Sequence, residues 1–164
     1  MFNIGDKIFY PVQGAGIIEI IEEKEFHGEK QKFYNISLIN NSMKLMMPSN
    51  RMETSNIRPV SSSSYLNKIF LNINKYTSYF EELSQYNAKQ RIEINTDKMK
   101  KGSLEDLVQI IYALTKLKKE HSLNSSENQL LLKAKKLLTD EICLSMDLSK
   151  TDASDYVEEK FKLA

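Results

Sequence analysis

Apolar positions follow two different rhythms along this chain, and the change falls near residue 61. Through residues 1–60 they form short β-branched and aromatic runs, broken by Gly5, Gly14, Gly16 and Gly28 and by Pro11, Pro48 and Pro59. Runs punctuated in this way predict strands and turns. A first strand is expected over residues 7–11, a turn at 13–16, a longer strand at 17–22, and a hairpin turn at 27–30 leading into a strand at 32–39. In that last strand Tyr34, Ile36 and Leu38 alternate with Phe33, Asn35, Ser37 and Ile39, the period of a half-buried strand. Asn40-Asn41-Ser42 then predicts a turn into residues 44–48. Strands this short and this closely spaced predict a small, strongly bent five-stranded barrel.

Beyond Ser61-Ser62-Ser63-Ser64 the spacing becomes helical. Leu66, Ile69, Phe70, Ile73, Tyr76, Phe80 and Leu83 recur every three or four residues and predict one amphipathic helix over residues 65–83. A more polar helix is expected from 87 to 101, stopped by Gly102. Ser103, with Asp106 three residues later, predicts the cap of a third helix, and Ser126 with Gln129 predicts the cap of a fourth, running to about 146. A last amphipathic stretch spans 152–161. The fold class is therefore α+β in two domains: a β-barrel over residues 1–60, a serine-rich connector at 61–65, and an all-α bundle over 66–164. Because Ser64 directly precedes the apolar stripe, the serine run also reads as a helix cap with little hinge freedom.

The composition is globular, with 41% hydrophobic and 27% charged residues. No apolar run approaches the roughly 20 residues that span a bilayer, and the start lacks a basic-then-apolar leader, so a cytoplasmic protein without membrane association is expected. Cys143 is the only cysteine, which excludes an internal disulfide and a thiolate metal site. His27 and His121 lack second ligands at metal spacing, and Gly14-Ala15-Gly16 lacks the third glycine of a dinucleotide loop. Glu22-Glu23, Glu81-Glu82 and the serine run have no partners that would make them acids, bases or nucleophiles. A non-enzymatic protein without metal or cofactor is expected.

The net charge of +1 conceals a separation. Residues 1–60 balance, residues 86–101 carry +3, residues 112–136 carry +4, and residues 137–164 carry −4. If the basic helices converge, their lysines form a patch suited to phosphate, and such contacts hold DNA without reading bases. The same lysines also fit ordinary solvated helix faces.

Phe2-Asn3-Ile4-Gly5-Asp6-Lys7-Ile8-Phe9-Tyr10-Pro11, the Gly14-Ala15-Gly16-Ile17 segment, Gly28-Glu29 ahead of Phe33-Tyr34, and Met47-Pro48 resemble the N-terminal domain of the CarD/CdnL transcription regulators. Gly102-Ser103-Leu104, Leu123-Asn124-Ser125-Ser126-Glu127 and Leu132-Lys133-Ala134-Lys135-Lys136 extend the resemblance across the second half. The resemblance implies a Tudor-like barrel that docks on the β subunit of bacterial RNA polymerase. It also implies a helical domain that touches promoter DNA, weakly and with sequence tolerance, at the upstream edge of the bubble, stabilising the open complex.

Carried over residue by residue, the resemblance assigns polymerase contact to Lys24 and to Met46, where the family has a basic residue, with Lys44 and Met47 beside it. Asn87 matches a family asparagine, and Ala88 stands where many members place a tryptophan wedge, with Tyr86 as a nearby aromatic. Arg91 matches a basic position and is the leading single DNA contact, joined by Lys89, Lys98, Lys100, Lys101, Lys133, Lys135 and Lys136. A monomer is expected, associated with the nucleoid through polymerase. The alternative is a protein-only adaptor whose bundle is a second protein interface.

Overall fold

The computed structural model describes residues 1–40 and 42–162; Asn41 of the expected turn, and Leu163 and Ala164 of the expected helical domain, lie outside them. The first half is a five-stranded antiparallel sheet: β1 Lys7–Tyr10, β2 Gly14–Phe26, β3 Glu29–Leu38, β4 Lys44–Pro48 and β5 Arg58–Pro59. Its order is β4-β3-β2-β1-β5, so β4 and β5 are the edges. Strand β2 begins at Gly14, inside the expected turn, because Gly14, Ala15 and Gly16 pair with Tyr10, Phe9 and Ile8. A register shift between Ile18 and Ile20 marks a bulge, which bends β2 and raises its twist. His27 and Gly28 close the long hairpin with φ of +52° and +80°, the left-handed pair suited to a two-residue turn.

Tyr34, Ile36 and Leu38 face inward as their alternation predicts, packing with Ile8, Ile18 and Met47. Helix α1, Ser49–Thr54, lays Met52 over that core. It was not expected, and neither was the two-residue β5.

The helical half comprises α2 Ser63–Leu71, a 3-10 turn Ile73–Tyr76, α3 Thr77–Ser84, α4 Ala88–Lys101, α5 Leu104–Glu120, α6 Ser125–Met146 and α7 Lys150–Lys162. The single helix expected over 65–83 is interrupted at Asn72, whose backbone N–H donates to the Ile69 carbonyl and whose side chain donates to the Lys68 carbonyl, ending α2. The apolar stripe survives the break, since Leu66, Ile69, Phe70, Ile73, Tyr76 and Leu83 are all buried. Helix α5 is the hub, burying Leu107, Val108, Ile110, Ile111, Tyr112, Ala113 and Leu114 around its circumference. The cap of α6 is Asn124 rather than Ser126: its Oδ1 accepts from the Glu127 N–H at 2.8 Å.

A second core spans the boundary between sheet and helices. Phe9 and Ala15, fully buried, belong to the helical cluster, and Ile17, Ile39 and Val60 pack against it. The serine run is clamped rather than flexible: the Ser61 N–H donates to Glu141 at 2.8 Å, Ser145 donates to the Ser61 carbonyl, and Ser62 caps α2 by accepting from the Tyr65 N–H. The helix therefore starts at Ser63, within the expected connector. Lys7 reaches across to the Leu144 carbonyl at 2.8 Å, and Gly102 lies so close to Pro11 that an added Cβ would sit 2.5 Å from the ring.

Candidate functional site

The sheet offers one outer face and one open edge. Register sets Ile20, Asn35 and Met46 in a row, with Glu22, Phe33 and Pro48 in the next. Ile20, Phe26 and Met46 are 46%, 56% and 53% exposed, high values for apolar side chains in a sheet. Lys24 lies over this face, 5.8 Å from the Phe33 ring centroid and within 3.5 Å of the Met46 sulfur. Phe26 and Phe33 approach to 6.1 Å between centroids. Lys44, on the edge strand, pairs with Glu19 at 3.2 Å. Three of the four expected polymerase-facing residues thus share this surface. Met47 does not: it is opposite Tyr34 on the inner side and only 8% exposed, so it is a core residue.

The helical face is built from α4 and α6, which run side by side in the same direction. Arg91 ties their first turns, donating from Nε and Nη2 to Glu127 at 2.7 and 3.1 Å. Arg58 ties their far ends, donating to the Gly102 carbonyl at 2.9 Å and to both Glu141 oxygens. This arrangement commits Arg91, the leading DNA-contact expectation, to partners inside the protein. Arg91 is 8% exposed and its remaining nitrogen donates to the Tyr86 carbonyl at 2.7 Å, so all three guanidinium nitrogens have partners inside the protein.

Other expected DNA contacts are also spent internally. Asn87 caps α4 in a capping box with Gln90, so its side-chain oxygen is committed. Lys98 is held by Asp106 at 3.3 Å and by Gln109, 4.6 Å from the Tyr79 ring centroid, and Lys135 pairs with Glu158 at 3.0 Å. Tyr86 and Ala88 are half-buried at the start of α4.

Lys89, Lys100, Lys101, Lys133 and Lys136 remain exposed and form no ion pair among the described residues. Lys89 and Lys100 are three turns apart on one side of α4, and Lys133 and Lys136 are adjacent on α6. Below α6, Asp140 is buried against Asn40 of the sheet; burial raises its pKa, opposed by the Asn40 hydrogen bond and by Lys136 and Lys150. Ile20, Phe26 and Phe33 were missed as surface residues: the register shift between Ile18 and Ile20 turns Ile20 outward, and apolar type alone does not place Phe26 and Phe33 on the outer face.

A bent sheet with an exposed apolar face and an edge strand, β4, is thus locked against two parallel helices that carry exposed lysines. Two family models together cover most of the chain: the CarD-like/TRCF RID domain matches residues 2–61 and the CarD C-terminal domain matches residues 77–158. The Bacillus subtilis (strain 168) protein named "Putative transcription factor YdeB" is 42% identical over 142 residues, covering 87% of this chain and 90% of that one. The solution NMR structure of the 72-residue N-terminal domain of Myxococcus xanthus CarD aligns at 25% identity with a TM-score of 0.31, over 36% of this chain and 79% of that one. The chain belongs to the CarD/CdnL family. It is accordingly a transcription regulator that interacts with RNA polymerase, in a family of transcription factors and not of enzymes. No helix among the described residues is long and apolar enough to cross a membrane.

Proposed function

We propose that the sheet holds the β subunit of RNA polymerase through its outer face and the β4 edge, while the lysine face of α4 and α6 rests on promoter DNA at the upstream edge of the bubble and stabilises the open complex. The observation that carries this is the fixed relation between the two faces: a shared core and the Arg58 ties leave no hinge between them. An edge strand gives main-chain affinity, and Ile20, Phe26, Phe33, Met46 and Lys24 supply the side chains that choose the partner. Docking on polymerase then raises the effective concentration of the lysine face at the DNA, so weak intrinsic affinity suffices.

The test is the lifetime of promoter open complexes formed by polymerase holoenzyme with and without the full-length protein. A longer lifetime, shortened by exchanging Lys89, Lys133 and Lys136 for glutamine while polymerase retention is unchanged, supports the proposal. Polymerase retention combined with no salt-dependent DNA binding would leave the protein-only adaptor in its place.

A further inference from the structure

Helix α7 brings acid to the margin of the lysine face. Residues 151–159 carry Asp152, Asp155, Glu158 and Glu159 and no basic residue. Ala153, Val157 and Phe161 are buried along its inner side, and the Phe70 ring meets Tyr156 and Phe161 edge-on with 5.8 Å between centroids, so the helix is packed in place beside α6. That packing sets Glu158 against Lys135, whose Nζ donates to its Oε1 at 3.0 Å. Of the three lysines at 133, 135 and 136 on α6, Lys133 and Lys136 are exposed, whereas the Lys135 side chain is 22% exposed. The hollow between the two helices collects Lys135, Lys136 and Lys150 but also the carboxylates of Asp140 and Glu158, so its cations are offset where they stand.

A lysine held by a carboxylate gains a phosphate only after that pair is broken, and the freed carboxylate then repels the same phosphate. An exposed ion pair is weak, so its effect on DNA binding is a few-fold brake and not a lock. Such a brake matters on a chromosome, where non-specific duplex outnumbers promoters by many orders of magnitude. Resting on the DNA contact proposed above, we infer that α7 is an electrostatic brake on that contact, in which Glu158 withholds Lys135 from the phosphates. The lysine face is thereby kept too weak for free duplex and sufficient only where docking on polymerase raises its local concentration.

The test titrates the full-length protein against blunt duplex DNA across a salt series and follows the slope of log Kd against log salt. Lys135→Gln alone should leave the wild-type slope unchanged, because Lys135 is already engaged. Glu158→Gln should tighten duplex binding several-fold at low salt and steepen the slope by about 1, the mark of one added phosphate contact. Glu158→Gln combined with Lys135→Gln should lose that steepening, which ties the gain to this lysine. Asp155→Asn removes the same charge three residues earlier, at a side chain with no ion pair among the described residues, and should leave the slope unchanged. The Glu158 side chain is 56% exposed, so an unchanged thermal midpoint serves as the folding control. An unchanged slope with Glu158→Gln, a slope that falls with Lys135→Gln alone, or a gain that survives in the double variant or appears equally with Asp155→Asn overturns the brake and leaves DNA contact standing. Absence of salt-dependent binding by wild type and Glu158→Gln alike overturns both.

Discussion

Arg58 and Glu141 meet at the boundary between sheet and helices through two hydrogen bonds of 2.6 and 2.9 Å, with the Glu141 side chain fully buried and the guanidinium carbon 4.4 Å from the centroid of the Phe9 ring. Glu141 also accepts from the Ser61 N–H, so one carboxylate anchors the last strand, the start of the helical half and α6. Removing a partner from such a pair strands a buried charge. Arg58→Ala is expected to destabilise the fold by about 3–5 kcal/mol, read from urea unfolding.

Arg91 and Glu127 form the second buried pair, and the same logic separates stability from DNA contact. Arg91→Met should lower the unfolding midpoint while leaving the salt slope of DNA binding unchanged. Lys89→Gln, Lys133→Gln and Lys136→Gln together should leave the midpoint unchanged and reduce that slope by about 3, roughly one per phosphate contact. A salt slope that follows Arg91 would return that residue to the DNA face.

Met46 is half-exposed on the outer face of the sheet and within reach of Lys24. Met46→Glu places a charge on this face without touching the core. Retention of the polymerase β subunit should weaken about tenfold, consistent with loss of an anchor worth more than about 1 kcal/mol. Met47→Glu should instead unfold the sheet, since Met47 lies inside.

Gly102 combines φ of +70° with a close approach to Pro11. Gly102→Ala meets both a strained backbone and a ring it cannot avoid, so a loss of about 1–3 kcal/mol is expected by thermal or urea unfolding. The same substitution at Gly28, equally left-handed but open to solvent, meets only the backbone term and should cost less.

Asp140 gives a pH-dependent outcome. Its folded pKa is raised by burial, and its Oδ2, like Asn40 Oδ1, lacks a hydrogen-bond partner. The ionised form is therefore disfavoured in the fold and costs stability above the folded pKa. The cost shrinks as pH falls and vanishes below the unfolded carboxyl pKa of about 3.9. Asp140→Asn removes the charge and supplies a donor to this pair of acceptors. A gain of about 1–2 kcal/mol near pH 7, fading as pH falls through the raised folded pKa and gone below about pH 4, should appear in unfolding curves across pH.

The alternation of Tyr34, Ile36 and Leu38, the stop at Gly102 and the Ser103 cap are local signals, and each is read directly from spacing. Asn124 is equally legible, because Glu127 follows it at the capping-box distance, although two serines that also suit a cap stand beside it. The bulge at Glu19 was not, since a pair of isoleucines on either side of one charge fits no single alternation. Met47 sits in a strand without alternation, which leaves its side of the sheet open until β3 pairs with it. The burial of Arg91 depends on a carboxylate 36 residues away, and no local pattern reports a partner at that distance. Long-range pairing therefore decided which basic residues stayed on the surface.

The burial of Phe9 and Ala15 in the helical cluster has a consequence in time. During synthesis β1 and β2 leave the ribosome long before α5 and α6 exist to cover them. For that interval the nascent sheet carries an apolar flank of Phe9, Ala15, Ile17 and Ile39 facing water, the kind of transient surface that recruits chaperones or neighbouring chains. Covering that flank waits for α5 and α6, and with them for Glu141. The rigidity that aligns the two faces in the finished protein is thus matched by a period of vulnerability while it is being made.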